Sequence, residues 1–110
     1  MNDANSYDFT VRLHGHDSVM GLVSVSPHHN PQDMEISYVF HPKYWGNGYA
    51  RECVQALLDF CKNDLKLKRV VSETQTANTK SCRLLEGLGY GIKCRLERFG
   101  AMQSLYVKEL

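Results

Sequence analysis

Apolar side chains alternate with polar ones in three stretches near the start of the chain, and the period then changes. Asp8-Phe9-Thr10-Val11-Arg12-Leu13 alternates strictly, which predicts a strand with one wet face. His14-Gly15-His16-Asp17 reads as a turn. Val19-Met20-Gly21-Leu22-Val23-Ser24-Val25 has apolar residues on both parities, so a more deeply buried strand is expected. The prolines and asparagine between Pro27 and Gln32 mark a loop. Met34, Ile36, Tyr38 and Phe40 then alternate with Glu35, Ser37 and Val39 in a third strand, which Pro42 ends. These three strands predict an antiparallel meander.

From Gly48 the spacing becomes helical. Ala50, Cys53, Val54, Leu57, Leu58 and Cys61 share one face, and the helix is expected to run to about Leu65. Arg69-Val70-Val71-Ser72-Glu73-Thr74 is rich in β-branched residues and predicts a strand. A second helix follows, with Asn78 as N-cap, Cys82, Leu85 and Leu88 inward, and Gly89 as a left-handed stop. Strands near Tyr90–Glu97 and Met102–Glu109 are joined at Phe99-Gly100. The order β-β-β-α-β-α-β-β predicts an α+β fold: a mixed sheet, two helices and one parallel crossover pair.

Length and charge narrow this further. The 110 residues predict a single domain, 1–110. Thirteen basic residues against twelve acidic ones leave a formal charge of +1, which gives no electrostatic case for nucleic acid or an anionic membrane. No apolar stretch is long enough to span a bilayer, and Met1 to Ser6 lacks the pattern of a signal peptide. A cytoplasmic protein is expected. Cys53, Cys61, Cys82 and Cys94 form no CxxC pair and read as reduced thiols. His14, His16, His28, His29 and His41 have no Cys or carboxylate spacing that completes a metal site, so none is expected.

The candidate chemistry sits where strands hand over to helices. In Gly46-Asn47-Gly48, glycines permit close backbone approach, and the free N–H groups and dipole of the following helix suit a phosphate or pyrophosphate. A glycine pair also marks any tight turn, so this motif alone is ambiguous. The dinucleotide fingerprint fails because its third glycine falls on Arg51, and no GxxxxGK is present. What is left is an anion held by backbone amides without a lysine clamp. At the second junction, Asn78 and Ser81 lie on one side of the first helical turn, either as a plain cap or as ligand contacts.

Two segments, HPKYWGNGYARE and later NTKSCRLLEGLGY, together resemble the GNAT acetyltransferase superfamily. They most resemble the branch of ribosomal-protein serine/alanine N-terminal acetyltransferases, over roughly Tyr7 to the C-terminus. The superfamily pattern Q/R-x-x-G-x-G/A puts Trp45, Gly48 and Ala50 at its key positions, with Trp45 agreeing with this branch. The resemblance implies acetyl-CoA as cosubstrate. Its pyrophosphate would lie on the amides of Gly46, Asn47, Gly48, Tyr49 and Ala50, and its pantetheine arm along Val39, Phe40 and His41. The arm would enter where that strand splays from its parallel neighbour, with Asn78 and Ser81 at the thioester end.

By the same analogy an amine, on a small molecule or a protein N-terminus, attacks the thioester directly. That needs a base, an oxyanion donor and a donor to the departing thiolate. A backbone N–H between Tyr38 and Phe40 suits the oxyanion. Many members carry a tyrosine where this chain has Leu85, which leaves Ser81 as the donor to the thiolate. Glu35 is the candidate base and Glu73 the other, each also readable as a plain strand carboxylate.

The branch normally begins with a strand and two helices, whereas this chain starts at what resembles the second strand. Strand 8–13 is then an open edge, and a homodimer through it is expected. The alternative is a truncated module that binds CoA or a protein without turnover.

Overall fold

The computed structural model describes residues 6–15, 18–28 and 33–110. His16, Asp17 and 29–32, in the expected turn and loop, lie outside the described residues. The chain forms β1 (Tyr7–Arg12), β2 (Val19–Pro27), β3 (Met34–Phe40), α1 (Tyr49–Asn63), β4 (Arg69–Gln75), α2 (Thr79–Gly87), β5 (Gly91–Arg98) and β6 (Ala101–Glu109). A short 3₁₀ turn, Pro42–Tyr44, precedes α1. Among the described residues, the six strands join one sheet in the order β1-β2-β3-β4-β6-β5. The mixed α+β sheet with one parallel pair, β3 and β4, is as expected.

The periodicities explain which face is dry. Val23 and Val25 of β2 lie opposite Tyr38 and Ile36 of β3 and point the same way. Onto them α1 lays Val54, Leu57, Leu58 and Cys61, and α2 lays Leu85. Val25, Val54, Leu85 and Val70 are completely buried, each worth about 1.5–3 kcal/mol of transfer free energy. The opposite sheet face leaves Leu22 and Val39, a register pair, open to solvent.

Several boundaries differ from the periodicity by one or two residues. Helix α1 stops at Asn63 rather than Leu65, because Asp64 and Leu65 both return their N–H groups to the Phe60 carbonyl. Lys66 then takes a left-handed φ of 58° and turns the chain away. Strand β2 continues through Pro27, which pairs with Met34 at the strand's last position, where a missing donor is tolerated. The last two strands each gain one residue at their turn, Arg98 and Ala101, and the two-residue loop is closed by Phe99 (φ 57°) and Gly100 (φ 74°). Helix α2 ends as expected: Gly89 at φ 95° lets Gly89 N–H reach Glu86 and Tyr90 N–H reach the Leu85 carbonyl.

Candidate active site

The parallel pair barely touches. Glu35 opposite Val71 is its one register pair, after which β3 and β4 diverge. A side chain spans the start of the gap, where Ser72 Oγ donates to the Ile36 carbonyl at 2.9 Å. Beyond it a cavity of about 530 Å³ opens between β3, β4 and the starts of both helices.

Backbone direction along β3 alternates, so neighbouring residues offer their polar groups to opposite sides. The His41 N–H bonds Met20 on the β2 side, whereas the Ile36 and Phe40 carbonyls take Ser72 Oγ and the Trp45 indole from the other. By that parity Val39 and His41 turn their backbones to β2, and Tyr38 turns its backbone to the cleft. Val39 and Phe40 do line the cavity; His41 does not, and its Nδ1 accepts the Lys43 N–H at 3.3 Å.

The rim is the Trp45–Ala50 turn. Gly46 (φ 81°) and Gly48 (φ 78°) are left-handed, and a Cβ at either would meet nothing within 4 Å. The requirement for glycine there comes from the backbone conformation, not from crowding. Gly48 is the N-cap of α1 and offers no side-chain cap. The helix ladder begins with Glu52 N–H on the Gly48 carbonyl, so the amides ahead of it are free for a ligand. Trp45, Gly46, Gly48, Tyr49 and Ala50 line the cavity. Asn47 does not; its Nδ2 folds back on the Tyr44 and Trp45 carbonyls at 3.3 Å each.

Cations join from elsewhere. Lys80 lies 5.4 Å from the Trp45 ring centroid, and Lys80 and Arg51 both line the cavity. A lysine was not expected here, since Lys80 comes from the other helix. Amides and cations at the rim, with Phe40, Leu84 and Leu85 along the wall, fit a diphosphate carrying an apolar-walled thioester arm.

At the inner end Asn78 Oδ1 accepts the Ser81 N–H at 3.2 Å, and Ser81 Oγ meets the Tyr38 hydroxyl at 2.6 Å. Asn78, Ser81 and Tyr38 line the cavity. Leu85 is completely buried and has no proton to give. The sequence points to Tyr38 only as a strand residue at one end of the candidate oxyanion stretch, because nothing in its local spacing relates its hydroxyl to Ser81.

The two carboxylates separate clearly. Glu73 lines the cavity but is engaged by His28 Nε2 at 2.9 Å and Arg98 Nη1 at 3.2 Å. Glu35 lies outside the lining and accepts the Glu73 N–H at 3.0 Å. Burial raises the Glu35 pKa above the ordinary carboxylate value, against the lowering effect of that hydrogen bond. His28 is buried against Glu73, and no metal-binding group of three occurs among the described residues. No described helix is long and apolar enough to cross a membrane.

Residues 1–91 match the acetyltransferase (GNAT) domain family, and the chain belongs to it. That family uses acetyl-CoA as cosubstrate. The chain is 31% identical over 85 residues to the uncharacterized N-acetyltransferase YnaD of Bacillus subtilis, covering 77% of this chain and 50% of that protein. It is 34% identical over 55 residues to the FsC-acetyl coenzyme A-N(2)-transacetylase of Aspergillus fumigatus, covering 50% and 23%. A GNAT acetyltransferase structure from Bacillus anthracis superposes with a TM-score of 0.81 at 28% identity, over 93% of this chain and 65% of that one. The ribosomal-protein-S5-alanine acetyltransferase of Vibrio fischeri superposes at 0.86 over 96% and 62%, but at 19% identity it shows the fold alone. The chain spans about half the length of the curated relatives YnaD and YkkB.

Proposed function

We propose that this chain is the cofactor-binding and acyl-transfer domain of an acetyl-CoA-dependent N-acetyltransferase that acetylates a primary amine. The observation that carries this reading is one cavity with two ends. Uncapped amides of a glycine turn lie at the rim, and Ser81 with Asn78 lies at the inner end. Proteins with related sequence or fold are named for different amine acceptors, an N(2) position and a ribosomal-protein alanine. The acceptor class proposed here is therefore a primary amine, on a small molecule or a protein N-terminus. The branch of ribosomal-protein N-terminal acetyltransferases is favoured by WGNGYA and by Ser81.

Glu35 is the proposed base, acting through a water because it lies outside the cavity lining. It is the less engaged carboxylate, and burial raises its pKa. Tyr38 or Phe40 N–H is the proposed oxyanion donor. The free thiols fit a reducing cytoplasm; Cys61, its pKa pushed up to about 11 by burial, is inert.

Calorimetric titration with acetyl-CoA is expected to show one site, and a panel of primary amines to release free thiol. Protonated Glu35 cannot accept a proton, so activity falls as pH drops through its pKa. The acid limb should lie above the ordinary carboxylate range. With one acceptor held fixed, Glu35→Gln should remove that limb and slow turnover by roughly 10²–10⁴-fold. Leu85, buried where a proton donor is common in the superfamily, favours a second reading, a module that binds without turnover. Binding without thiol release from any amine would establish that second reading; absence of binding would reject both.

The edge strand β1, with Phe9 41% exposed, also supports a homodimer by strand pairing. Sedimentation at high micromolar concentration should give the dimer mass; a clean monomer rules it out.

A further inference from the structure

We infer that the Tyr38 hydroxyl is half of a two-oxygen donor that stabilises the departing thiolate, acting through Ser81. This rests on the acetyl-CoA reading above. Tyr38 rises from β3 and Ser81 from α2, the two walls of the cavity, and their oxygens meet at 2.6 Å. That lies toward the close end of the range for a bond between hydroxyls. Ser81 is held in place from behind, since its N–H is fixed on Asn78 Oδ1.

The direction of the bond follows from acidity. A phenol is a far better donor than an aliphatic hydroxyl, so Tyr38 donates and Ser81 Oγ accepts. The single Ser81 proton is then free to turn into the cavity. A Ser81 hydroxyl that accepts from Tyr38 is polarised and donates more strongly in turn.

Acidity also limits what the pair does. A thiol titrates near 8.5 and an ordinary phenol near 10. Burial raises Tyr38 further, against a lowering effect from Ser81. The proton therefore stays on Tyr38, and the pair stabilises charge by hydrogen bonding without transferring a proton. As the amine nitrogen bonds to the acetyl carbon, the carbon–sulfur bond breaks and its electron pair stays on sulfur. That sulfur accepts the Ser81 O–H and takes its own proton later from water. The ammonium proton leaves separately, through the base. Tyr38 is thus a positioning residue, and Ser81 the group that touches the reacting atom.

The test needs no acceptor and no turnover. The thiol of CoA, bound to the protein, is titrated by its thiolate ultraviolet absorbance. Bound thiol is expected to ionise more readily than free CoA. Tyr38→Phe keeps the ring and its packing, and should leave about three- to tenfold less thiolate at a fixed pH. Ser81→Ala should do the same, and the double variant no more than either alone. Identical titrations for wild type and Tyr38→Phe overturn the inference while leaving the cofactor reading intact. Failure of CoA to bind at all rejects the cofactor reading, and this inference with it.

Discussion

Replacing Gly48 with valine is expected to weaken acetyl-CoA binding at least a hundredfold while leaving the domain folded. Gly48 holds φ at 78° as the N-cap of α1, a conformation a β-branched residue adopts only under strain. Holding it costs about 1–3 kcal/mol, so the turn relaxes instead. Relaxation re-aims the amides of Gly46 to Ala50. Each hydrogen bond to a charged group contributes about 1.5–3 kcal/mol, and losing two exceeds two decades of affinity at about 1.4 kcal/mol per decade. The site is open, with nothing within 4 Å of an added Cβ, so the cost comes from the backbone conformation rather than from crowding at Cβ. Calorimetry gives the affinity and a thermal melt checks the fold. An unchanged dissociation constant would show that the ligand does not use this turn.

Gly21→Ala is expected to destabilise the fold by about 2–4 kcal/mol, for a reason invisible in the strand pattern. Gly21 sits in β2 opposite Phe40, and an added Cβ would lie 2.5 Å from the Val39 carbonyl oxygen and 2.8 Å from Phe40 Cδ2. Backbone oxygen cannot step aside, so β2 and β3 must part or Phe40 must leave its buried site. A 110-residue domain should then melt roughly 10 °C or more lower. The Phe40 carbonyl also anchors the Trp45 indole at 2.8 Å, so acetyl-CoA affinity should fall as well. Gly91→Ala, where a Cβ meets nothing within 4 Å, is the control and should melt no lower than wild type, since an unstrained change adds about 0.4–1 kcal/mol through the unfolded chain. Equal midpoints for the two variants would refute the crowding argument.

Features carried by neighbouring residues were readable without coordinates. Alternation in 34–40 produced β3, the helical repeat from Ala50 to Cys61 produced α1, and Asn78 with Gly89 bounded α2. Each depends on backbone geometry over a few residues, which local sequence controls directly. The glycine turn ahead of α1 was readable for the same reason, since two glycines and the start of a helical repeat mark it locally. Of the three residues expected along the pantetheine arm, Val39 and Phe40 line the cavity and His41 does not; strand pairing turns the Val39 and His41 backbones to β2 and leaves the Phe40 carbonyl on the cleft side.

Sequence alone determined the element order, the caps of α2, the glycine turn and the family, all of which rest on short-range pattern. Only the tertiary structure decided that β6 lies between β4 and β5, and that Lys80 covers Trp45. It also decided that Tyr38 meets Ser81 across the gap, and that His28 and Arg98 engage Glu73 while Glu35 is half-buried and accepts the Glu73 N–H. These are contacts between residues far apart in the chain. Distance, burial and charge environment are set by how the strands splay and stack, and no local spacing encodes them.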